Sequence, residues 1–345
     1  MSLLIRAEAL SRFAESILRA LDVPERKAHL VASSLVEANL RGVDSHGIQL
    51  LPYYVEQMEA GDLSRIADGH VISETGACLL YDGENGIGQG VAEICCAHGV
   101  RIAREQGLSM VVARESNHFG AAAFWAQKYS SEELIGIVMC NASPMVPPWQ
   151  GREPRVGTNP ICMSIPGGRW LLDMATTTVA AGKIYKAMIN GHDTIPPGWA
   201  MDSEGVPTTS VETALKGLVS PLGGYKGSGL AMMAEILCAV LSGGAMSTEL
   251  GGIRIRGRAM RVSQMFLGID ISRFLTLDEF ARRMESLIAV VKSTPPAKGY
   301  DEVLVAGEPE WRMEAERRAN GIPLEAGTWK SLTDTASRLS VAIPV

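Results

Sequence analysis

The stretch DGENGIGQG, residues 82–90, follows a short run with strand character, ACLLYD, and precedes a helical pattern over 90–106. A glycine-rich turn from strand to helix is where a Rossmann fold holds the pyrophosphate of a dinucleotide. That fingerprint is G-x-G-x-x-G, with an acidic residue about 20 residues further on. Here the glycines at 86, 88 and 90 give G-x-G-x-G, and no acidic residue ends the strand that begins in QGLSMVV. The turn has the right place but the wrong spacing, and it reads against Rossmann binding at this loop.

Working outward, β-type runs alternate with helical patterns: HVISE, ACLLYD, LSMVVAR, a helix over 120–133, then LIGIVMC, ICMSIP and WLLDMA. A helix over 228–242, a strand near QMFLGID and a helix over 277–292 follow. Between 134 and 174 no helix separates the strands, which predicts antiparallel neighbours rather than crossover units. Both chain ends are helical. Residues 3–21 and 24–41 repeat apolar positions at helical spacing, with Pro24 suited to a first turn, and PYYVEQMEAG stops at Gly61. Past a Pro/Gly-rich hinge at 293–299, two more helical stretches cover 309–320 and 326–339. The expectation is a mixed α/β (α+β) chain in which residues 1–70 and 295–345 form a helical domain and 71–294 a mixed domain.

The 345 residues suffice for two packed domains, since single cores stop growing at about 250–300 residues. Hydrophobic residues make up 46% and charged residues 20%, a globular balance. No apolar run reaches the roughly 18 residues of a membrane span; the longest, GLAMMAEILCAVLSGG, is broken by Glu235 and reads as a buried helix. The start, MSLLIRAEAL, lacks the pattern of a signal peptide, which predicts a cytoplasmic protein. Cysteines 78, 95, 96, 140, 162 and 238 show no C-x-x-C spacing and sit among apolar neighbours, as reduced core thiols do. CCAH, 95–98, would point its residues to different sides of a helix, so no metal site is expected. A net charge of −6 without a block of like charge argues against nucleic acid and anionic membrane, leaving small molecules as partners.

Two loops set a histidine beside small polar residues: DSHGI, 44–48, and ESNHFGA, 115–121. The second lies between a strand and a helix, where uncovered backbone lets an imidazole reach a ligand. His29, His70, His98 and His192 lie on helical faces or in ordinary loops and read as structural. In PLGGYKGSGLA, 221–231, four glycines bracket Lys226 ahead of a long helix, a convergence of amides and ammonium suited to an anion. GTNP, 157–160, and LLDMATTTVAAGK, 171–183, offer Asp173, three threonines and a Gly–Lys pair to ribose or phosphate. The alternative for the latter is a helix capped by Thr177 or Thr178.

RGVDSHG, SNHFGAA, MVPPWQG, GTNP, LLDMATTTVAAGKI, IPPGWAMDSEGVPTT and PLGGYKGSGLAMMAEILCAVLSG together resemble the malate/L-lactate dehydrogenase family of nicotinamide-dependent oxidoreductases. They occur in family order across nearly the whole chain. Its relatives include ureidoglycolate dehydrogenase, sulfolactate dehydrogenase, 2,3-diketogulonate reductase and cyclic imino-acid reductases. The resemblance implies a helical domain built from both chain ends and a non-Rossmann domain whose largely antiparallel sheet binds NAD or NADP, NAD being favoured. It implies a homodimer with the active site near the subunit interface. By the same resemblance His46 is the catalytic acid/base with Ser45 as its partner, while His118 holds the proton-acceptor position of the ureidoglycolate branch and competes for the role. Cofactor contacts fall on Asp173, Met174, Ala175, Thr176, Thr177, Thr178 and Val179, on Tyr225 and Lys226, and on Gly307, Glu308 and Pro309. Asn117 and Thr158 are further contacts.

The implied reaction passes a hydroxyl proton of a 2-hydroxy acid to neutral His46 as the C2 hydride moves to nicotinamide, a role imidazole can play in both directions near neutral pH. The alternatives are a cyclic imino-acid (piperideine- or pyrroline-2-carboxylate) reductase, a ureidoglycolate-type dehydrogenase, or an idle homologue that only binds. One departure stands out. The family commonly has an arginine four residues after the catalytic histidine, and here that residue is Leu50. A guanidinium is the natural bidentate partner of a carboxylate. Either Arg41, Arg152 or Lys183 replaces it, or the substrate has another polar end that meets Gln49, Tyr53 or Tyr54.

Overall fold

A computed structural model describes residues 3–189 and 191–344. Its centre is a seven-stranded sheet in the order His70–Thr75, Cys78–Asp82, Leu108–Ser116, Val262–Asp270, Leu134–Cys140, Ile161–Ser164, Leu171–Met174. Every neighbouring pair is antiparallel except Cys78–Asp82 with Leu108–Ser116. The antiparallel expectation for 134–174 therefore holds.

The parallel pair is joined by the helix Gly88–Gln106, so DGENGIGQG does occupy a strand-to-helix turn. Its glycines answer to the protein's own backbone. A Cβ on Gly88 would stand 2.3 Å from the Asn117 carbonyl oxygen and 2.4 Å from that of His118; one on Gly86 would stand 2.6 Å from that of Ala67. The spacing differs from the dinucleotide fingerprint because what comes close here is the 117–118 loop.

Four cores hold the described residues together, a small one around Val112, Met139, Cys238 and Met265 and three that meet at the site. Of these three, the first joins the two ends: Leu10, Ile17 and Leu18 of helix Ala7–Arg19, Val31 and Leu35 of Glu25–Leu40 and Val55 of Leu51–Glu59 pack with Leu332 and Ala336 of Ala326–Arg338. Helical spacing of these apolar positions gives each helix one inward stripe. The expected helix over 3–21 begins only at Ala7. Leu3–Ile5 is a strand paired antiparallel with Ile322–Leu324, which satisfies backbone groups of both ends at once. The second core fills the space between the large sheet and helices Gly88–Gln106 and Ala122–Ser130, around Trp125, Tyr129 and Phe266. Five of the cysteines are buried as expected, whereas Cys78, on a strand near the sheet edge, is exposed.

The third core was not anticipated. Val146, Val179, Ile184, Ile195 and Val211 pack around a small sheet in the order Leu218–Val219, Ala200–Met201, Pro207–Thr208, with helix Ala181–Ile189 against it. Strands of two residues carry no alternation that a sequence pattern could reveal. The helix expected from 228 starts at Tyr225 and passes into a π turn at Ile236–Val240. Among the described residues no helix is long and apolar enough to cross a membrane.

Candidate active site

A cavity of about 620 Å³ opens where residues of these three cores meet, with Leu50 from the first, Phe119 and Leu171 from the second and Met145 and Ala181 from the third on its wall. His46 and His118 both line it, their rings stacked at 21° with centroids 5.6 Å apart.

The His46 loop is held from both chain ends. After helix Glu25–Leu40 the chain turns through Gly42, at φ +77°, into a 3-10 turn over Asp44–His46. Asn39 ties the turn down: its Nδ2 donates to Asp44 Oδ1 at 2.7 Å and its Oδ1 accepts from the Ile48 amide at 2.7 Å. Gly47 is required because a Cβ there would stand 2.3 Å from Asn39 Oδ1. Arg317, from the distant helix Glu308–Asn320, donates to Asp44 Oδ1 and Oδ2 at 2.6 and 3.1 Å and to the Asn39 carbonyl. Ser45 Oγ lies 3.0 Å from His46 Nδ1.

His118 is held by a different set. Tyr54 donates its hydroxyl proton to Nδ1 at 2.5 Å, the Gly120 amide donates to the same nitrogen at 3.2 Å, and Gln89 Nε2 donates to the Tyr54 oxygen at 3.1 Å. With Nδ1 accepting, the proton of the neutral ring is assigned to Nε2. Tyr54→Phe removes this support and leaves the buried Gln89 N–H without its acceptor. A loss of about 1–2 kcal/mol in urea unfolding is expected, with kcat falling as His118 loosens.

Burial, reinforced by the charge of Arg254, lowers His46 to about 4. Burial, the neighbouring His46 and Arg254 lower His118 to about 3. Asp173 moves the other way: its side chain is open at the cavity wall, yet desolvation by the surrounding protein raises it to about 6 although the Ala123 amide at 2.9 Å and the charge of Arg41 oppose the rise. Both imidazoles are therefore neutral at pH 7. From an ordinary 6.5 down to about 4 or 3 they hold fewer protons folded than unfolded, so their contribution to stability is complete above 6.5 and is lost as pH falls through that window. Asp173 holds more protons folded than unfolded between 3.8 and about 6, so its contribution is complete below 3.8 and lost as pH rises through 6. Two groups outweigh one, and urea midpoints should fall from pH 7 to pH 5 by less in a His118→Asn variant than in the wild type.

Of the residues singled out in the sequence, Ser45, His46, His118, Thr158, Asp173, Met174, Ala175, Gly307 and Pro309 line the cavity. Others lie outside it. Thr176 donates to the Thr158 carbonyl, Thr177 to that of Val179 and Thr178 to that of Pro221, and since the next helix starts at Ala181 neither Thr177 nor Thr178 caps it. Tyr225 and Lys226 are exposed; Tyr225 meets Trp149 edge-on, and a Cβ on Gly227 would stand 2.5 Å from the Thr176 oxygen, so that glycine serves packing. Glu308 pairs with Lys292. The Asn117 amide is taken by Asn85 and the Gly86 carbonyl. Gln49, Tyr53 and Lys183 are absent from the wall, and Arg152 pairs with Glu204. Sequence reasoning missed Glu37, Asn141, Glu310 and above all Arg254. Arg254 sits in an exposed loop without periodicity, and only the adjacent run of basic residues in GGIRIRGR sets it apart.

The fold, which has no Rossmann domain, sets two neutral imidazoles on the wall of one slot with small, apolar and charged residues around them. The sequence model for malate/L-lactate dehydrogenase matches residues 5–333. The malate dehydrogenase of Pyrococcus horikoshii is 36% identical over 344 residues, 97% of this chain and 95% of the relative. The solved sulfolactate dehydrogenase of Methanocaldococcus jannaschii superposes with a TM-score of 0.91 at 31% identity, covering 98% of each chain. Δ1-piperideine-2-carboxylate reductase of Pseudomonas syringae pv. tomato gives 0.85 at 27% identity, over 97% of this chain and all of the other. The chain belongs to the malate/L-lactate dehydrogenase family, and the nicotinamide-dependent oxidoreduction its resemblance implied is that family's chemistry.

The residues present fit a nicotinamide cofactor. Gly120, Ala121, Ala122 and Ala123 lead into helix Ala122–Ser130 and line the cavity; with the Gly120 and Ala123 amides given to His118 and Asp173, this turn offers a ligand the amides of Ala121 and Ala122 and no bulky side chain. Leu171, Met174 and Pro160 supply apolar wall for a flat ring.

Proposed function

We propose that the protein transfers hydride between NAD(H) and a small 2-hydroxy or 2-oxo acid, with His46 as the acid/base. The observation that carries this reading is the stacked pair of neutral imidazoles at the cavity wall. The bound nicotinamide supplies or accepts the hydride. His46 Nδ1–H donates to Ser45 Oγ, which leaves the Nε2 lone pair free to take the substrate hydroxyl proton. In reduction the same atom returns that proton, which a buried imidazolium gives up readily. His118, with Nδ1 occupied by Tyr54 and Gly120, presents Nε2–H as a donor to the substrate oxygen. The two histidines thus divide the work rather than compete for it.

NAD(H) is favoured over NADP(H) because the wall carries three carboxylates, Glu37, Asp173 and Glu310, against the guanidinium groups of Arg41 and Arg254. A 2′-phosphate gains little from such a wall. The protein acts as a homodimer in a reducing cytoplasm. Supporting this, Met232, Ile236 and Val240, four residues apart on one helix face, are each more than half exposed, as a subunit interface would leave them in a single chain. Light scattering should give twice the 36.9 kDa chain mass.

The reading is tested by NADH and NADPH consumption with a panel of 2-oxo acids and cyclic imino acids. Turnover of a 2-oxo acid with NADH is expected; consumption with cyclic imines alone would install the second reading, which the likeness to the piperideine-carboxylate reductase favours. Silence with every compound overturns both.

A further inference from the structure

We infer that Arg254 binds the substrate carboxylate, taking the part of the arginine whose place four residues after His46 is filled by Leu50. The inference rests on the function proposed above and gives that site its specificity for an acid. Leu50 is 3% exposed and packed in the first core, so the usual position offers an alkyl surface to the cavity and no donor. Arg254 reaches the same cavity from the loop ahead of strand Val262–Asp270.

Its guanidinium lies over two rings, 4.8 Å from the centroid of Tyr53 and 5.3 Å from that of Tyr185. Those rings come from helices Leu51–Glu59 and Ala181–Ile189, which carry the first and third cores to the cavity. Stacking occupies the faces of a guanidinium and leaves its in-plane N–H groups free for a planar, bidentate partner. Its neighbours are committed elsewhere: Arg256 pairs with Glu56 and Arg261 with Glu115. Arg254 has no carboxylate partner among the described residues. Arg254, His46 and His118 line the same cavity, and the charge of Arg254 acts on both imidazoles.

The other cations serve worse. Arg41 is 5% exposed and directs Nη1 towards Gln127, while its charge acts on Asp173. Arg152 is paired with Glu204, and Lys183 lies outside the cavity wall. A carboxylate held by Arg254 therefore orients the adjacent oxo carbon towards the histidines, and Tyr53 acts by holding the guanidinium rather than by touching the substrate.

The test measures KM for the 2-oxo acid, KM for NADH, and binding of oxamate, an unreactive 2-oxo acid analogue, to the enzyme–NADH complex by calorimetry. In Arg254→Gln the acid KM and the oxamate Kd are expected to rise on the order of 10²-fold, since two charge-assisted hydrogen bonds are lost, while KM for NADH holds. Arg254→Lys, which keeps the charge and the fold but not the fork, should fall between; it carries the test if the glutamine variant is unstable. Oxamate affinity and acid KM unchanged in both variants would overturn the inference. Failure of the parent reading looks different: wild type would then turn over no acid of either class, and oxamate would not bind at all.

Discussion

His46→Ala is expected to lower kcat for the hydroxy/oxo acid pair by about 10²–10⁴-fold, the usual worth of a positioned general acid/base. NADH affinity should stay close to that of the wild type, because Ser45 and His46 stand on a loop whose anchors, Asn39, Asp44 and Arg317, do not include the imidazole. Loss of the ring removes the group to which the proposed proton transfer is assigned, a neutral imidazole at pH 7. His118→Asn should be milder. Its Nδ1 is already engaged by Tyr54 and Gly120, and a side-chain amide can still donate to the substrate oxygen. Steady-state kcat at saturating cofactor, compared between the two variants, checks the order. Equal losses would mean that the histidines share the proton, and a larger loss in His118→Asn would reverse the roles.

The second large effect concerns the anchor. Arg317 has a side chain only 10% exposed and meets Asp44, itself 35% exposed. Asp44→Ala leaves the guanidinium buried with one carbonyl for company. Breaking a fully buried pair costs about 3–5 kcal/mol, and the partial exposure of Asp44 brings the expected loss to about 2–3 kcal/mol in urea unfolding. The same change frees the 3-10 turn, so kcat should fall although Asp44 touches no substrate. Adding Arg317→Met removes the stranded charge, and the double variant should regain stability without regaining kcat. A double variant no more stable than Asp44→Ala would show that buried charge is not what the pair controls.

Much of this was legible because it rests on local rules. The missing acidic residue and the short glycine spacing in DGENGIGQG argued against a dinucleotide loop, and Gly86 and Gly88 indeed face backbone oxygens. The absence of helices between 134 and 174 gave antiparallel order, and helical stripes at both ends gave the helices that now share one core. Two loops with histidine beside small residues converged in one cavity. What was not legible depends on distant partners. Nothing in the sequence shows that the hydroxyls of Thr176, Thr177 and Thr178 meet the carbonyls of Thr158, Val179 and Pro221. Nor does it show that Gly227, beside Lys226, lies against the Thr176 backbone. Arg254 gave no signal of its own, since a lone arginine in an exposed loop gains meaning only when folding brings Tyr53 and Tyr185 to its faces.

Direct hydride transfer to a carbon beside a carboxylate is the central claim, and isotope transfer tests it most directly. NADH deuterated in turn at each C4 position is incubated with the 2-oxo acid that wild type reduces fastest, and the product is weighed by mass spectrometry. Deuterium from one of the two C4 positions, and not the other, should appear at C2 of the hydroxy acid. Product that carries no deuterium from either position would contradict the claim.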